Sequence, residues 1–252
     1  MFPPASGVAG HPLRPFGPAR NHVHDEGRRA SVLVVPQPVL RTERLLLVPL
    51  ADRHLDPEVE LDSDPEVLRF LHGRARSRAE VVKSHADRMA LGRRVDGLGY
   101  WVAFGHRVAR GGDGERRGPS APDREDDGEF VGLMMLPPVP DPDQPDPDQP
   151  GPDQPGPDQA VCELGYRLGR RWWGRGLATE ASRVLLEHAF DTLAQDRVIA
   201  RTMAVNAGSR GVMRALGMRY ARTLHQHWDD PLPGSELGEV EYEMTREMWR
   251  AG

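Results

Sequence analysis

The block Gly169-Arg170-Arg171-Trp172-Trp173-Gly174-Arg175-Gly176-Leu177-Ala178-Thr179-Glu180-Ala181 joins a strand-like run over residues 161–168 to an amphipathic helix expected to reach about residue 193. No other stretch restricts the fold as much. A strand that ends in a glycine-rich turn and enters a helix builds an anion cradle. Glycines let the backbone approach a ligand closely, and the first helical amides point unsatisfied hydrogens at it. The ligand implied carries phosphate. A nucleotide P-loop requires Lys and Ser/Thr after its last glycine, and Leu177-Ala178 stand there instead. A dinucleotide fingerprint requires three spaced glycines on the first strand of a βαβ unit, whereas Gly174-x-Gly176 comes late in the chain.

The remaining periodicities read as one mixed α/β domain over residues 39–252, preceded by a Pro-, Gly-, His- and Arg-rich tail, residues 1–38, expected to be disordered. Strands are expected near residues 45–48, 100–104, 130–136, 161–168, 198–205, 220–228 and 240–245. Helices are expected over 65–71, 79–91, 177–193 and from Ser209, a candidate cap, to Gly217, a candidate stop. Two polar insertions interrupt the pattern. Residues 107–128 read as a charged hairpin insertion, and residues 137–159 carry a five-residue Pro-Asp-Gln repeat starting at Pro142, Pro147, Pro152 and Pro157. Recurrent prolines cannot donate ladder hydrogen bonds, so the repeat is expected to be an extended, solvated loop.

A formal net charge of -5 argues against a nucleic-acid partner. Cys162 is the single cysteine, which leaves no internal disulfide and reads as a buried apolar residue rather than a nucleophile. No apolar run approaches the ~20 residues of a membrane span, and residues 1–7 lack the start of a secretory signal. The cytoplasm is the expected compartment. His225-x-His227 puts two imidazoles on one strand face, but no third ligand stands at a recognisable spacing, so no metal is expected.

Arg171-x-x-Gly174-x-Gly176 resembles the pyrophosphate loop of the GCN5-related N-acetyltransferases (GNAT). The wider pattern Glu163-x-Gly165-Tyr166-x-Leu168, then Trp173-Gly174-x-Gly176-x-Ala178-Thr179-Glu180-Ala181, is similar to their RimJ/RimL-like branch. Asn206-Ala-Gly-Ser209 through Met213 to Leu216-Gly217-Met218 resembles the strand-loop-helix that follows. Leu40-Arg41-Thr42-Glu43-Arg44-Leu45 and Tyr242-Glu243-Met244-Thr245 resemble the first and last strands. The resemblance implies a mixed, mostly antiparallel twisted sheet of six to seven strands with about four flanking helices, its central strands splayed around a coenzyme. It implies acetyl-coenzyme A as co-substrate and direct acetyl transfer to a primary amine, either a protein N-terminus or a small molecule. Membrane and nucleic acid are absent from the implied partners, and the chain is expected to be a monomer or homodimer. A non-catalytic acyl-coenzyme A sensor is the rival reading.

By that resemblance, coenzyme contacts fall on Tyr166, Arg167 and Leu168, whose backbone amides would meet the thioester carbonyl. They continue through Arg171, Trp172, Trp173, Gly174, Arg175, Gly176, Leu177, Ala178 and Thr179, and include Asn206 and Ser209. Trp172 and Trp173 read either as a shield for the coenzyme or as packing. Glu163 is the candidate base: in a regular strand Val161, Glu163, Gly165 and Arg167 share one face, and a carboxylate in an apolar strand would have its pKa raised. A surface or ion-paired Glu163, with Arg167 as partner, is the alternative. Ser209 reads as general acid or as a helix cap, because Met213 stands where many relatives carry tyrosine. Residues 228–239 hold Asp229, Asp230, Glu236 and Glu239 without a base, in a connection that the resemblance puts near the acceptor entrance.

Overall fold

The computed structural model describes residues 36–93, 95–105, 128–138, 160–225 and 230–252, in which nine strands form two sheets. Sheet A holds, in spatial order, β1 (Leu40–Arg41), β2 (Leu45–Pro49), β3 (Gly99–Gly105), β4 (Glu129–Leu136) and β6 (Gly165–Leu168), all antiparallel to their neighbours. Sheet B runs β5 (Val161–Glu163), β7 (Arg197–Met203), β9 (Glu239–Thr245) and β8 (Arg219–Leu224), with only the β5–β7 pair parallel. The mixed, mostly antiparallel arrangement is the expected one. Nine strands stand in place of six to seven because the expected first strand and the expected 161–168 strand are each broken in two.

The second break organises the molecule. Leu164 donates its amide to the Ile199 carbonyl at 2.8 Å, which is the last rung to sheet B, and the chain then turns toward β4. One continuous segment thus belongs to both sheets, and the sheets part beyond Leu164. Side-chain alternation survives the break. Cys162, Leu164, Tyr166 and Leu168 all meet the main core, while Glu163 and Arg167 face the other way.

Two cores explain the patterning. The main core lies between both sheets and α3 (Leu177–Glu187), α4 (Ala207–Ala215) and α5 (Arg246–Ala251), and it takes Leu45, Leu47, Trp101, Val131 and Met134 from sheet A. A second core takes Leu46, Val48, Tyr100, Val102 and Leu133 from the opposite face of sheet A, beneath α1 (Leu55–Asp62) and α2 (Arg78–Gly92). With both faces covered, β2 and β3 read as continuous apolar runs. In β4 the alternation changes phase: Ala103 pairs with Gly132 but Phe104 with Phe130, so Val131 is the extra residue of a bulge. At Gly132 the backbone of Arg167 and Leu168 leaves no room for a side chain, so β4 and β6 approach there only through glycine.

The helix expected over 65–71 is corrected. Those residues form successive turns, in which the Leu68 carbonyl accepts from Leu71, His72 and Gly73 and closes the segment. The helix lies earlier, at α1, where buried Glu58 and Asp62 disguise the inward face as a polar one. The third helix continues past Glu187 as a π-helical turn over His188–Thr192. The last helix, unforeseen, is capped by Thr245, whose hydroxyl accepts from the Met248 amide at 3.2 Å.

The tail falls largely outside the described residues, as do the repeat from position 139 and nearly all of the 107–128 insertion. Their roots are described. The Gln37 side chain donates to the Tyr100 carbonyl at 2.6 Å, the Glu163 backbone amide donates to the Pro137 carbonyl at 2.9 Å, and Gly105 pairs with Glu129.

Candidate active site

The glycine loop is a backbone construction. Arg170–Trp172 form one tight turn, and Gly174 and Gly176 then take φ values of 68° and 74°, left-handed conformations that disfavour any side chain. Gly176 occupies the cap position of α3 without a side-chain acceptor, and the first helical bond runs from the Glu180 amide to the Gly176 carbonyl at 3.0 Å. The amides of Leu177, Ala178 and Thr179 are therefore left for a ligand. A Cβ at Gly174 would meet nothing within 4 Å, so the loop borders open space. These features suit a pyrophosphate.

Both indoles are tied into the loop. Trp172 donates Nε1 to the Phe130 carbonyl at 3.0 Å, and the guanidinium groups of Arg171 and Arg175 lie 5.2 and 5.3 Å from its ring centre. Trp173 donates to the Leu168 carbonyl at 2.7 Å while its ring stays 49% exposed. Arg171 also lies 3.7 Å from Glu129.

Beyond Leu164, one edge of β6 faces the gap between the sheets. The Gly169 amide donates to the Val131 carbonyl at 3.0 Å, so alternation of the antiparallel ladder turns Arg167 toward β4 and turns the Tyr166 and Leu168 amides away from it. Those two amides point at the space that β7 has vacated. The Arg167 side chain goes elsewhere, under α1, with Nη2 3.0 Å from Asp62 Oδ1. Burial pulls its pKa down to about 10 despite that carboxylate.

Across the gap stands the start of α4. Asn206, not Ser209, caps this helix: its Oδ1 accepts from the Ser209 amide at 3.1 Å, and its Nδ2 donates to Thr202 Oγ1 at 3.0 Å. Ser209 sits in the first turn with its hydroxyl 3.0 Å from the Tyr166 hydroxyl. Met213 is buried in the main core. Glu163, at the end of β5, lies 3.6 Å from Arg201 and is 22% exposed. Arg201 is thus an ion-pair partner of Glu163, and the surroundings are ionic rather than apolar, since Arg201 also holds buried Glu241 at 2.7 Å. Cys162 is fully buried, and burial pushes its thiol pKa up, which suits the apolar reading. Of the two strand histidines, His227 lies outside the described residues, as do Trp228 and Asp229 of the acidic connection.

Residues 44–219 match the family model described as Acetyltransferase (GNAT) domain. The chain belongs to the GNAT acetyltransferase family. The family's co-substrate is acetyl-coenzyme A, and the open, glycine-lined loop with uncapped helical amides fits its pyrophosphate. Among curated relatives, "FsC-acetyl coenzyme A-N(2)-transacetylase" of Aspergillus fumigatus is 35% identical over 214 residues, covering 84% of this chain and 78% of the relative. Solved structures of the same fold include a GCN5-related N-acetyltransferase from Brucella melitensis, at TM-score 0.59 and 17% identity, covering 86% of this chain and 83% of that one. The ribosomal alpha-N-protein acetyltransferase RimL in complex with coenzyme A aligns at TM-score 0.58 and 16% identity, covering 84% and 98%.

In this GNAT domain two supports of the site rest on residues beyond the candidates named from sequence. Glu180 of α3 accepts from Thr42 Oγ1 at 2.5 Å, the Arg44 amide at 2.8 Å and Arg44 Nε at 2.6 Å, and Arg44 Nη1 donates to the Arg175 carbonyl at 2.9 Å. The glycine loop is thereby braced from behind. Burial works to raise the Glu180 pKa, but these hydrogen bonds prevail and lower it. Thr42, Arg44 and Glu180 all stand in family-like motifs, yet nothing local pairs residues 136 positions apart. The second support is a buried ionic layer under sheet A. Besides Arg167–Asp62 it contains Arg76 3.4 Å from Asp62, and Glu58 bridged by His85 at 3.1 Å and Arg88 at 3.2 Å. Its one sequence signal is a pair of carboxylates four residues apart, which amphipathic patterning assigns to solvent. No helix among the described residues is long and apolar enough to cross a membrane.

Proposed function

We propose that this acetyltransferase acetylates a primary amine of low pKa, the N-terminus of a protein or a small molecule with an equivalent amine, by direct transfer in a ternary complex. We place it in the RimJ/RimL-like branch on the Glu163-x-Gly165-Tyr166-x-Leu168 and Trp173-Gly174-x-Gly176 pattern. The observation that carries the reading is the parting of the sheets at Leu164, which aims two unpaired amides of β6 at a gap bounded by the glycine loop and by Ser209. When bound, acetyl-coenzyme A supplies an acetyl thioester.

Each side of the gap has a task. Backbone amides of Gly174 to Thr179 hold the pyrophosphate, with Arg171 and Arg175 alongside and Asn206 fixing the opposite wall. The Tyr166 and Leu168 amides are placed to stabilise charge on a carbonyl oxygen, a term worth about 3–4 kcal/mol per donor where it has been measured. Ser209 Oγ holds a proton for the departing sulfur. Glu163, partly exposed beside the break, takes the proton of the amine directly or through water, with Arg201 steering its carboxylate.

Three observations support the amine class. The Aspergillus fumigatus relative is named for transfer to a nitrogen designated N(2), and RimL for alpha-N-acetylation of a ribosomal protein. The described end of the acidic connection approaches the segment between β7 and α4, where Ala204 donates to the Gly238 carbonyl at 2.9 Å, and its Asp230 and Glu236 are exposed. An α-amine, with pKa about 7.7–8.0, deprotonates near neutrality far more readily than a lysine at about 10.4. Thiol release with a panel of amines tests the reading: acceptors with α-amines should turn over, and turnover confined to lysine side chains or to neutral nucleophiles would defeat it. In the same assay Glu163→Gln should slow turnover at least ~100-fold with acetyl-coenzyme A affinity unchanged, and its deficit should shrink as pH rises and free amine becomes abundant. A wild-type rate across the pH range would remove Glu163.

A further inference from the structure

We propose that Tyr166 is a positioning residue for Ser209, holding the serine hydroxyl so that its proton faces the gap. The inference rests on the proposed role of Ser209 at the sulfur. Tyr166 belongs to β6 in sheet A and Ser209 to α4, which follows β7 of sheet B, so their contact spans the parted sheets. The Tyr166 hydroxyl lies 2.9 Å from the Ser209 carbonyl oxygen and 3.0 Å from Ser209 Oγ.

A phenol has one proton and two acceptors within reach, so it satisfies one at a time. When it donates to the carbonyl, the Ser209 hydroxyl can donate only back toward the phenol or outward, and nothing decides between them. When it donates to Oγ, the serine proton is released from that contact and is available on the far side, toward the gap. The phenol keeps its proton across the working range, since burial pushes its pKa up to about 12 and outweighs the lowering by its hydrogen bond with the Ser209 hydroxyl. The serine main chain is already immobilised through Asn206 and Thr202, so orientation of the hydroxyl is the freedom left to govern.

No other tyrosine can serve. Of the four in the chain, Tyr100 belongs to the core on the opposite face of sheet A, Tyr242 packs in the main core, and the Tyr220 hydroxyl lies 2.8 Å from Thr223. Met213, one helical turn beyond Ser209, has no proton to give.

The alternative is a strap that merely ties β6 to α4. A double-mutant cycle on the full chain, with acetyl-coenzyme A and the best amine of the panel, separates the two. Ser209→Ala should lower kcat about 100-fold and Tyr166→Phe about tenfold or more, with KM for acetyl-coenzyme A within about twofold of wild type in each. The double variant should be no slower than Ser209→Ala, because the phenol acts only through the hydroxyl that is gone. Equal losses from Tyr166→Phe in both backgrounds would show a strap and overturn the proposal, as would a wild-type kcat for Tyr166→Phe beside a slow Ser209→Ala. A wild-type kcat for Ser209→Ala would overturn the role of Ser209 and the positioning role with it. If Tyr166→Phe does not fold, 3-fluorotyrosine at position 166 keeps the shape and acidifies the phenol. It should change kcat when Ser209 is present and leave it unchanged when Ser209 is alanine, and an unchanged kcat in both overturns the proposal.

Discussion

Sheet A and sheet B solve the same problem of cover in opposite ways. Sheet A has a helical layer and an apolar core on each face, and the charges under α1 are enclosed with it: Glu58 and Asp62 have no exposed surface. Sheet B shares the main core through Val198, Ala200, Val240, Tyr242 and Met244, while its other face carries a ladder of ion pairs, Arg197–Glu243 at 3.5 Å, Arg201–Glu241 at 2.7 Å and Arg222–Glu241 at 3.0 Å. Several members of that ladder keep contact with solvent; Arg222 is 34% exposed. In both regions a buried carboxylate has two partners, but the cations of the first are enclosed with it, whereas those of the second, Arg222 above all, keep contact with water. The site lies on the seam, where one segment leaves the second sheet for the first.

The sharpest way to break this contrast is to remove one arginine from each side. Arg167→Leu should destabilise the fold by about 3 kcal/mol, because it removes the shorter of the two ion pairs of fully buried Asp62 and leaves the longer one, to Arg76 at 3.4 Å. Arg222→Leu should cost less than about 1 kcal/mol, because Glu241 keeps Arg201. Urea denaturation measures both, and equal losses would erase the distinction. Calorimetric affinity for acetyl-coenzyme A should stay within about threefold in Arg167→Leu, since the β6 contacts invoked are backbone ones.

At the seam, Gly176→Val should weaken acetyl-coenzyme A at least ~100-fold, or about 2.7 kcal/mol, by forcing a branched residue out of the left-handed conformation that aims the first amides of α3. Circular dichroism should remain native. Unchanged affinity would displace the site from this loop.

A smaller effect concerns pH. His72 borders the enclosed charges, and its pKa is lowered to about 4, first by burial and then by Arg76 and Arg167, with Asp62 opposing. The unfolded chain therefore binds a proton that the folded chain refuses between pH ~6.5 and ~4. The His72 contribution is fully present above that window and is lost as pH falls through it. His72→Gln should flatten the dependence of melting temperature on pH in this interval and leave the value at pH 8 little changed. A slope identical to wild type would remove His72 from the linkage. Since the ring is part exposed, solvent damps the effect.

The smallest expected change follows from replacing residues 140–159 with a short Gly/Ser turn. The roots of that insertion are pinned by the Glu163–Pro137 hydrogen bond and the Pro138–Cys162 bridge, and halving a loop alters closure entropy by only about 0.6 kcal/mol. Melting temperature and turnover should both hold. A marked loss of either would mean that the insertion takes part in the seam.

Sheet B shows why some of this was readable in advance and some was not. Alternation over 240–245 and the glycines at 174 and 176 are local signals, because a strand with one apolar face and a left-handed turn each impose residue types on neighbouring positions. Placing a helix at 65–71 failed for the converse reason. The inward face of α1 carries Glu58 and Asp62, which become compatible with burial only once His85, Arg88, Arg76 and Arg167 arrive from elsewhere in the chain. The cap of α4 is Asn206, three residues before the expected Ser209: both residue types cap well, and only the chain's exit from β7 selects between them.

By itself the sequence determined the strand-loop-helix cradle, the alternation of faces along residues 161–168 and the family to which these belong, because each depends on backbone conformation or on spacing within one element. The tertiary structure alone decided that the 161–168 strand breaks at Leu164, that Glu163 meets Arg201, that Glu180 and Arg44 brace the loop, and that Tyr166 reaches Ser209. Those contacts join residues 35 to 136 positions apart, and their geometry exists only once two sheets have parted around a shared strand.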